Sequence, residues 1–179
     1  MNNYRPISLL RIPGKILEAV VCNSINDHLQ THNLVSCNQW GFRKNRSTEG
    51  LLLHMTETWK SALDQSLVVG VLSVDFRKAF DSVNHSIMLE KLKATGISGS
   101  LFSWLANCLS NRNQFVQIFG KRSTLQPVKY GVPQGSILGP RLFSIYVNDL
   151  PESISNSGVE AKSFAFRYSR FLPFYPNDS

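Results

Sequence analysis

An apolar, largely β-branched run from Leu67 to Val74 ends in an acid, Asp75, and constrains this chain more than any other stretch. Such a run, bounded by polar sequence, predicts a buried strand. An ionised carboxylate buried without a partner costs several kcal/mol, so Asp75 is expected to be hydrogen-bonded, protonated or metal-bound. Phe76, Arg77, Lys78, Phe80 and a second acid, Asp81, follow it. A strand that delivers an Asp to its C-terminal end and then turns can offer a hard oxygen ligand to Mg²⁺. An Asp that caps the following turn is the competing reading. This stretch alone does not choose between them.

The flanking sequence predicts helices around that strand. Apolar residues at Ile16, Leu17, Val20, Val21, Ile25 and Leu29 mark a helical stripe from about Gly14 to Thr31. Ser47 or Thr48 can cap a helix to about Asp64, with Leu51, Leu52, Met55, Trp59 and Leu63 on one face. Asn84 or His85 can cap a short helix that Gly96 ends, and Ser98 the next, with Leu101, Phe102, Leu105 and Leu109 inward. Gln114 to Phe119 alternates as a strand, turns at Gly120–Ser123 and returns over Leu125–Tyr130, which predicts a hairpin. Gly131-Val-Pro-Gln-Gly135 is too rich in glycine and proline for regular structure, and its glycines would let backbone lie close to a ligand. Ser136 then caps a helix to about Asn148, with Pro140 in its first turn and Leu142, Ile145 and Tyr146 on its buried side.

Charge and cysteine content narrow the function classes. The 179 residues carry 19 basic and 12 acidic side chains, a formal charge of +7 that favours a polyanionic partner. The densest basic cluster, Arg43, Lys44 and Arg46, falls in a polar stretch around Trp40-Gly-Phe42 and reads as a solvated loop or as a phosphate contact. No run approaches the ~18 apolar residues of a membrane span, and the first residues hold no apolar signal core. Cys22, Cys37 and Cys108 are too scattered for a disulfide framework. With His28 and His32, Cys22 and Cys37 could be drawn as a zinc site, but neither cysteine belongs to a tight pair, and a polar helix face explains the histidines.

Four pieces of sequence, in one order, carry a family resemblance. They are Asn3-Tyr-Arg-Pro-Ile-Ser-Leu-Leu10 with Lys15-Ile-Leu-Glu18; Gln39-Trp-Gly-Phe-Arg-Lys-Asn-Arg-Ser-Thr48; Asp75-Phe-Arg-Lys-Ala-Phe-Asp-Ser-Val83; and Gly131-Val-Pro-Gln-Gly-Ser-Ile-Leu-Gly-Pro140, running on to Asn148-Asp-Leu150. Together they resemble the entry segment, fingers motif, first catalytic motif and following loop of reverse transcriptases from non-LTR retrotransposons, the LINE or jockey-like kind. Trp40 stands where that family commonly has a His. The resemblance covers residues 3 to 150 and fails after Leu150. The family should continue into a strand ending in Tyr/Phe-Ala-Asp-Asp and then a thumb. Phe164-Ala165 is the nearest echo; no Asp-Asp pair follows, and Pro173 and Pro176 should close any strand quickly.

The resemblance implies an α+β fold: an incomplete right-hand polymerase of fingers and part of the palm, with helices packed on a small antiparallel sheet. Residues 1–150 would form that domain, and 151–179 a divergent, poorly ordered tail. It also implies two-metal nucleotidyl transfer, with two Mg²⁺ ions (or Mn²⁺) roughly 3.5–4 Å apart. Asp75 would bridge them as the catalytic acid, and the Phe76 carbonyl would help hold one. Phe80 would pack against the sugar and exclude a ribose 2′ hydroxyl, while also packing in the core. Arg43, Gln134 and Gly135 would face the nucleotide, and Arg43, Lys44 and Arg46 the nucleic acid. Asp81 is expected to order its turn. The implied partners are an RNA template, a DNA primer, deoxynucleoside triphosphates, and the endonuclease and thumb regions of a full-length element. The family's life cycle implies an intracellular protein, cytoplasmic, nuclear or both. The expected function is a fragment of an RNA-directed DNA polymerase, truncated before its second acidic motif and inactive alone. The alternatives are a non-catalytic nucleic-acid-binding remnant and a product that never folds stably; the aromatic and basic tail could stack on bases or be an aberrant end.

Overall fold

The structure, a computed structural model, describes residues 7–110, 112–155, 160–164 and 167–174. The chain divides into two compact units, each discontinuous in sequence. Unit 1 takes residues 1–34 and 78–146, and unit 2 takes residues 35–77 and 147–179.

In unit 1 the helices start and stop where the sequence supplies caps. The helix α3, His85–Ala94, begins after Asn84, whose side chain accepts from the Ser86 N–H at 2.9 Å and the Ile87 N–H at 3.3 Å. At its other end the Gly96 N–H donates to the Lys93 carbonyl, the Ile97 N–H donates to the Leu92 carbonyl, and Ile97 is buried. Those paired bonds form a Schellman stop, with an apolar residue buried just past it. The helix α5, Leu138–Tyr146, is preceded by Ser136, whose hydroxyl accepts from the Gly139 N–H at 2.7 Å, and Pro140 lies in its first turn. The helices α1, Ile12–Thr31, and α4, Gly99–Leu109, complete the set. Contacts of α3 with α4 and α5, and of α1 with α5, bury Ile25, Leu29, Met88, Leu92, Leu105 and Leu142. Full burial of side chains of this size contributes about 1.5–3 kcal/mol each.

The stripe on α1 is buried only in its second half, at Cys22, Ile25 and Leu29. Ile16, Leu17 and Val20, expected inward, are exposed, because none of the described elements of unit 1 covers the first turns. The expected hairpin is present but interrupted. Strands β2 (Asn113–Gln114) and β5 (Gln126–Pro127) pair, and β3 (Gln117–Ile118) pairs with β4 (Lys121–Arg122). The turn is Phe119–Gly120, with φ 47° and 77°, so Lys121 and Arg122 stand in the strand and not in the turn as expected.

In unit 2, α2 runs Thr48–Asp64 from Ser47, whose hydroxyl accepts from the Gly50 N–H. Its Leu51 and Met55 form a small core with Trp40, Trp59 and Val69; Leu52 and Leu63, expected on the same face, are exposed. The strand β1, Val68–Asp75, forms as expected, but Val68, Val71 and Leu72 are each about half exposed. One helix covers this strand at Val69, and a strand covers one edge; that is too little to bury both faces.

Residues 151–179 lie in unit 2 and carry the end of α6 (Leu150–Ser155), then β6 (Glu160–Phe164) and β7 (Arg167–Phe174). The sheet order is β1-β7-β6, all antiparallel. Pro173 does not end β7, which pairs it with Val69. Pairing with β6 stops at Phe171, so among the described residues Pro173 has a partner strand on one side only, where a missing N–H is tolerated. Arg5-Pro6, Ala165, Phe166, Pro176 and Asp178 lie outside the described residues.

The strand β6 is fastened to residues 38–40. The Trp40 N–H donates to the Ser163 carbonyl at 2.8 Å, and the Ser163 N–H to the Asn38 carbonyl at 3.0 Å. The Ser163 hydroxyl donates to Gln39 Oε1, both residues being buried, and Lys162 Nζ donates to Asn38 Oδ1.

Candidate functional site

Asp75 is the last residue of β1 and is exposed, so water solvates its charge. The expectation that burial would force it into a bond, a proton or a metal does not apply. Phe76 follows, and Lys78 takes a left-handed conformation, φ 53°, that turns the chain into a 3₁₀ turn at Ala79–Ser82. Such a conformation is unfavourable for a residue with a Cβ, by roughly 1–2 kcal/mol.

The 131–135 loop is built onto that turn within unit 1. The Gly131 N–H donates to the Val83 carbonyl and the Val132 N–H to the Phe80 carbonyl, each at 2.8 Å. His85 Nε2 lies 2.8 Å from the Gly131 carbonyl. At φ +91° a Cβ on Gly131 would meet the Asp81 Cα at 2.9 Å, so only glycine fits. The close approach it permits is therefore to the chain's own backbone. Gln134 Nε2 donates to Asp81 Oδ1 at 2.8 Å, so the Asp81 side chain ties its turn to the 131–135 loop, a partner that the expectation of a turn-ordering acid did not include. Gly135 is exposed and lies against Ser8, whose N–H donates to the Gln134 carbonyl at 2.7 Å. The Phe80 ring is half-buried, 5.2 Å from that of Phe143 and tilted 40°. Of the expected nucleotide residues, Phe80, Gln134 and Gly135 thus belong to one hydrogen-bonded block.

The three cations of the basic loop differ from one another. Arg43 is half-buried, and its Nη1 donates to the Ser36 carbonyl at 3.0 Å, closing the loop on itself. Arg46 lies over the Trp40 ring, 4.2 Å from its centroid, and His54 stacks on that indole at 5.8 Å and 22°. Lys44 is exposed. The packing of Trp40 with Arg46 was not legible in the sequence, since no periodicity links two residues of an irregular loop. The Asp81–Gln134 and Gln39–Ser163 bonds were missed for a related reason: each joins residues distant in the chain.

Among the described residues the donors do not make up a two-metal centre. Asp75 is a single carboxylate, and its backbone register partner on β7 is Arg167. Among the described residues no group of three or more His, Cys, Asp or Glu could share a metal ion. The zinc arrangement is not assembled either: His28 Nε2 lies 2.7 Å from the Thr95 carbonyl, and His32 Nδ1 lies 2.9 Å from the His28 carbonyl. No helix among the described residues is long and apolar enough to cross a membrane.

Known proteins echo these features. The family described as reverse transcriptase (RNA-dependent DNA polymerase) matches residues 1–169, beyond the point where the motifs give out. The chain is 33% identical over 159 residues to the RNA-directed DNA polymerase from mobile element jockey of Drosophila funebris, covering 89% of this chain and 17% of that protein. It is 31% identical over 151 residues to the protein of that name from Drosophila melanogaster, covering 84% of this chain and 16% of the relative. It therefore spans about a sixth of the length of these relatives. Its fold resembles that of telomerase from Candida albicans, solved in complex with a fragment of telomeric RNA, with a TM-score of 0.58 at 14% identity over 90% of this chain and 30% of that one.

Proposed function

We propose, starting from the fact that the chain belongs to the reverse transcriptase (RNA-dependent DNA polymerase) family and to its non-LTR retrotransposon branch, that it supplies the template- and nucleotide-facing part of an RNA-directed DNA polymerase. The family uses a divalent metal, an RNA template and nucleotides. In this chain the basic loop of Arg43, Lys44 and Arg46 would meet phosphates. Phe80 would lie beside the sugar, with Gln134 and Gly135 beside the base or template edge. Asp75 and the Phe76 carbonyl would be its contribution to a Mg²⁺ or Mn²⁺ site that its described donors do not complete. The endonuclease and thumb regions of a longer element would be its partners, and by the family's life cycle it would act in the cytoplasm, the nucleus or both.

The observation that carries this reading is the placement of Asp75: exposed, at the end of a sheet strand and immediately before the turn that seats the 131–135 loop. A second reading, binding without chemistry, is favoured by Arg167 in register with that acid. Both are tested by primer extension on an RNA template, with Asp75→Ala as control and RNA binding measured alongside. The expected result is that the chain binds RNA and does not extend the primer. Loss of several kcal/mol of charge stabilisation corresponds to roughly 10³ or more in rate. Extension that Asp75→Ala abolishes would mean that an acid outside this account completes the site. A chain that binds no RNA would overturn both readings.

A further inference from the structure

The β3–β4 turn spends conformational and hydrophobic free energy on a ring that packs against nothing. Both of its residues, Phe119 and Gly120, have positive φ, at 47° and 77°. A two-residue turn of that kind favours Asn-Gly, because a bulky side chain is strained in the left-handed region. Here the first position holds a phenylalanine whose relative exposure is 101%. A strained, fully solvated aromatic at a hairpin tip does nothing for the fold, and strain of this kind is characteristic of sites that act on something else.

The surroundings suit one kind of occupant. Residues 112–129 contain Arg112, Lys121, Arg122 and Lys129 and no acidic residue. Lys121 and Arg122 follow the tip directly, and all four short strands are exposed. Arg122 is held in place: its guanidinium lies over the Phe115 ring, 5.0 Å from the centroid, and its Nε donates to Gln117 Oε1 at 2.9 Å. An aromatic face beside cations, one of them here fixed, is the chemistry that holds single-stranded nucleic acid, the ring stacking on a base and the cations neutralising phosphates. A duplex, whose bases are already stacked on one another, offers the ring no free face.

We propose that the Phe119 hairpin is a binding arm for single-stranded nucleic acid, gripping the unpaired part of the template through a base stacked on Phe119 and phosphates on Lys121 and Arg122. This rests on the reading of the chain as an RNA-binding polymerase fragment and adds a contact that the basic loop does not provide.

The test is anisotropy of the full 179-residue chain with a labelled oligouridylate of about 12 nucleotides, within the usual range of single-strand site sizes, and with an abasic oligomer of the same length. Phe119→Asn should weaken binding of the oligouridylate about tenfold, within the range for loss of one stacked base, and leave binding of the abasic oligomer unchanged. Its thermal midpoint should not fall, since Asn suits the turn. Phe119→Trp should bind like the parent or tighter. Equal affinity of parent and Phe119→Asn for oligouridylate, or equal losses on both oligomers, would overturn the arm while leaving RNA binding intact. Self-association that Phe119→Asn abolishes without changing oligouridylate affinity would overturn it too, and would assign the hairpin to a protein interface. A parent that binds neither oligomer would overturn the RNA-binding reading and this one with it.

Discussion

Gly14 and Gly131 show how differently one residue type is constrained within unit 1. Nothing lies within 4 Å of a Cβ built on Gly14, which is helical in α1. Gly14→Ala should therefore raise stability by about 0.5–1 kcal/mol, the usual cost of glycine in a helix. Gly131 has φ +91°, and its Cβ would meet the backbone of Phe80 and Asp81 at 2.9–3.1 Å. Gly131→Ala should cost about 2 kcal/mol or more, because left-handed strain adds to a clash with main chain that cannot swing aside. Urea denaturation of both variants checks the pair; a neutral Gly131→Ala would mean that the 131–135 loop does not sit on the Phe80–Asp81 turn.

At the scale of elements, the joint between β6 and residues 38–40 rests on a buried polar pair. Gln39→Leu would leave the Ser163 hydroxyl buried without its acceptor and the Gly41 carbonyl without its 3.3 Å donor. A loss of about 1–3 kcal/mol is expected, and Ser163→Ala in the same chain should recover part of it. Additive losses in urea denaturation would show that the two side chains act independently. This joint marks where sequence reasoning stopped. The caps at Ser47, Asn84 and Ser136 and the Gly96 stop were legible because a helix end is written within a few neighbouring residues. The strand β1 was legible as a strand, but not its exposure, which depends on what the rest of the chain lays over it. The pairing of β1 with β7 was not legible at all. It joins Val68 to Phe174 and Asp75 to Arg167, and no local pattern names a partner so far along the chain. Pro173 also argued against the strand that contains it, and only the short reach of β6 resolves that conflict.

At the scale of the molecule, the charge of +7 should make RNA binding strongly salt-dependent, with each phosphate contact contributing roughly −0.7 to −0.9 to the slope of log K against log salt. Replacing Arg43, Lys44 and Arg46 by Gln should flatten that slope. Arg43→Gln alone should also lower the thermal midpoint, because its side chain holds the Ser36 carbonyl. A slope unchanged in the triple variant would move the phosphate contacts elsewhere on the chain. The candidate residues were legible as a list of motifs, but their grouping was not, since each unit is assembled from two separate stretches. That discontinuity has a consequence in time. The bond from Ser163 to Gln39 closes over 124 residues, which a ribosome takes roughly 6–25 s to synthesise. For most of that interval, from the completion of β1 onward, the growing chain holds the Leu51–Met55 cluster and β1 without the strand that pairs with β1. Loops this long close slowly and leave strand edges open to other chains, so while the chain is being made the bare edge of β1 is where unit 2 is most open to mispairing.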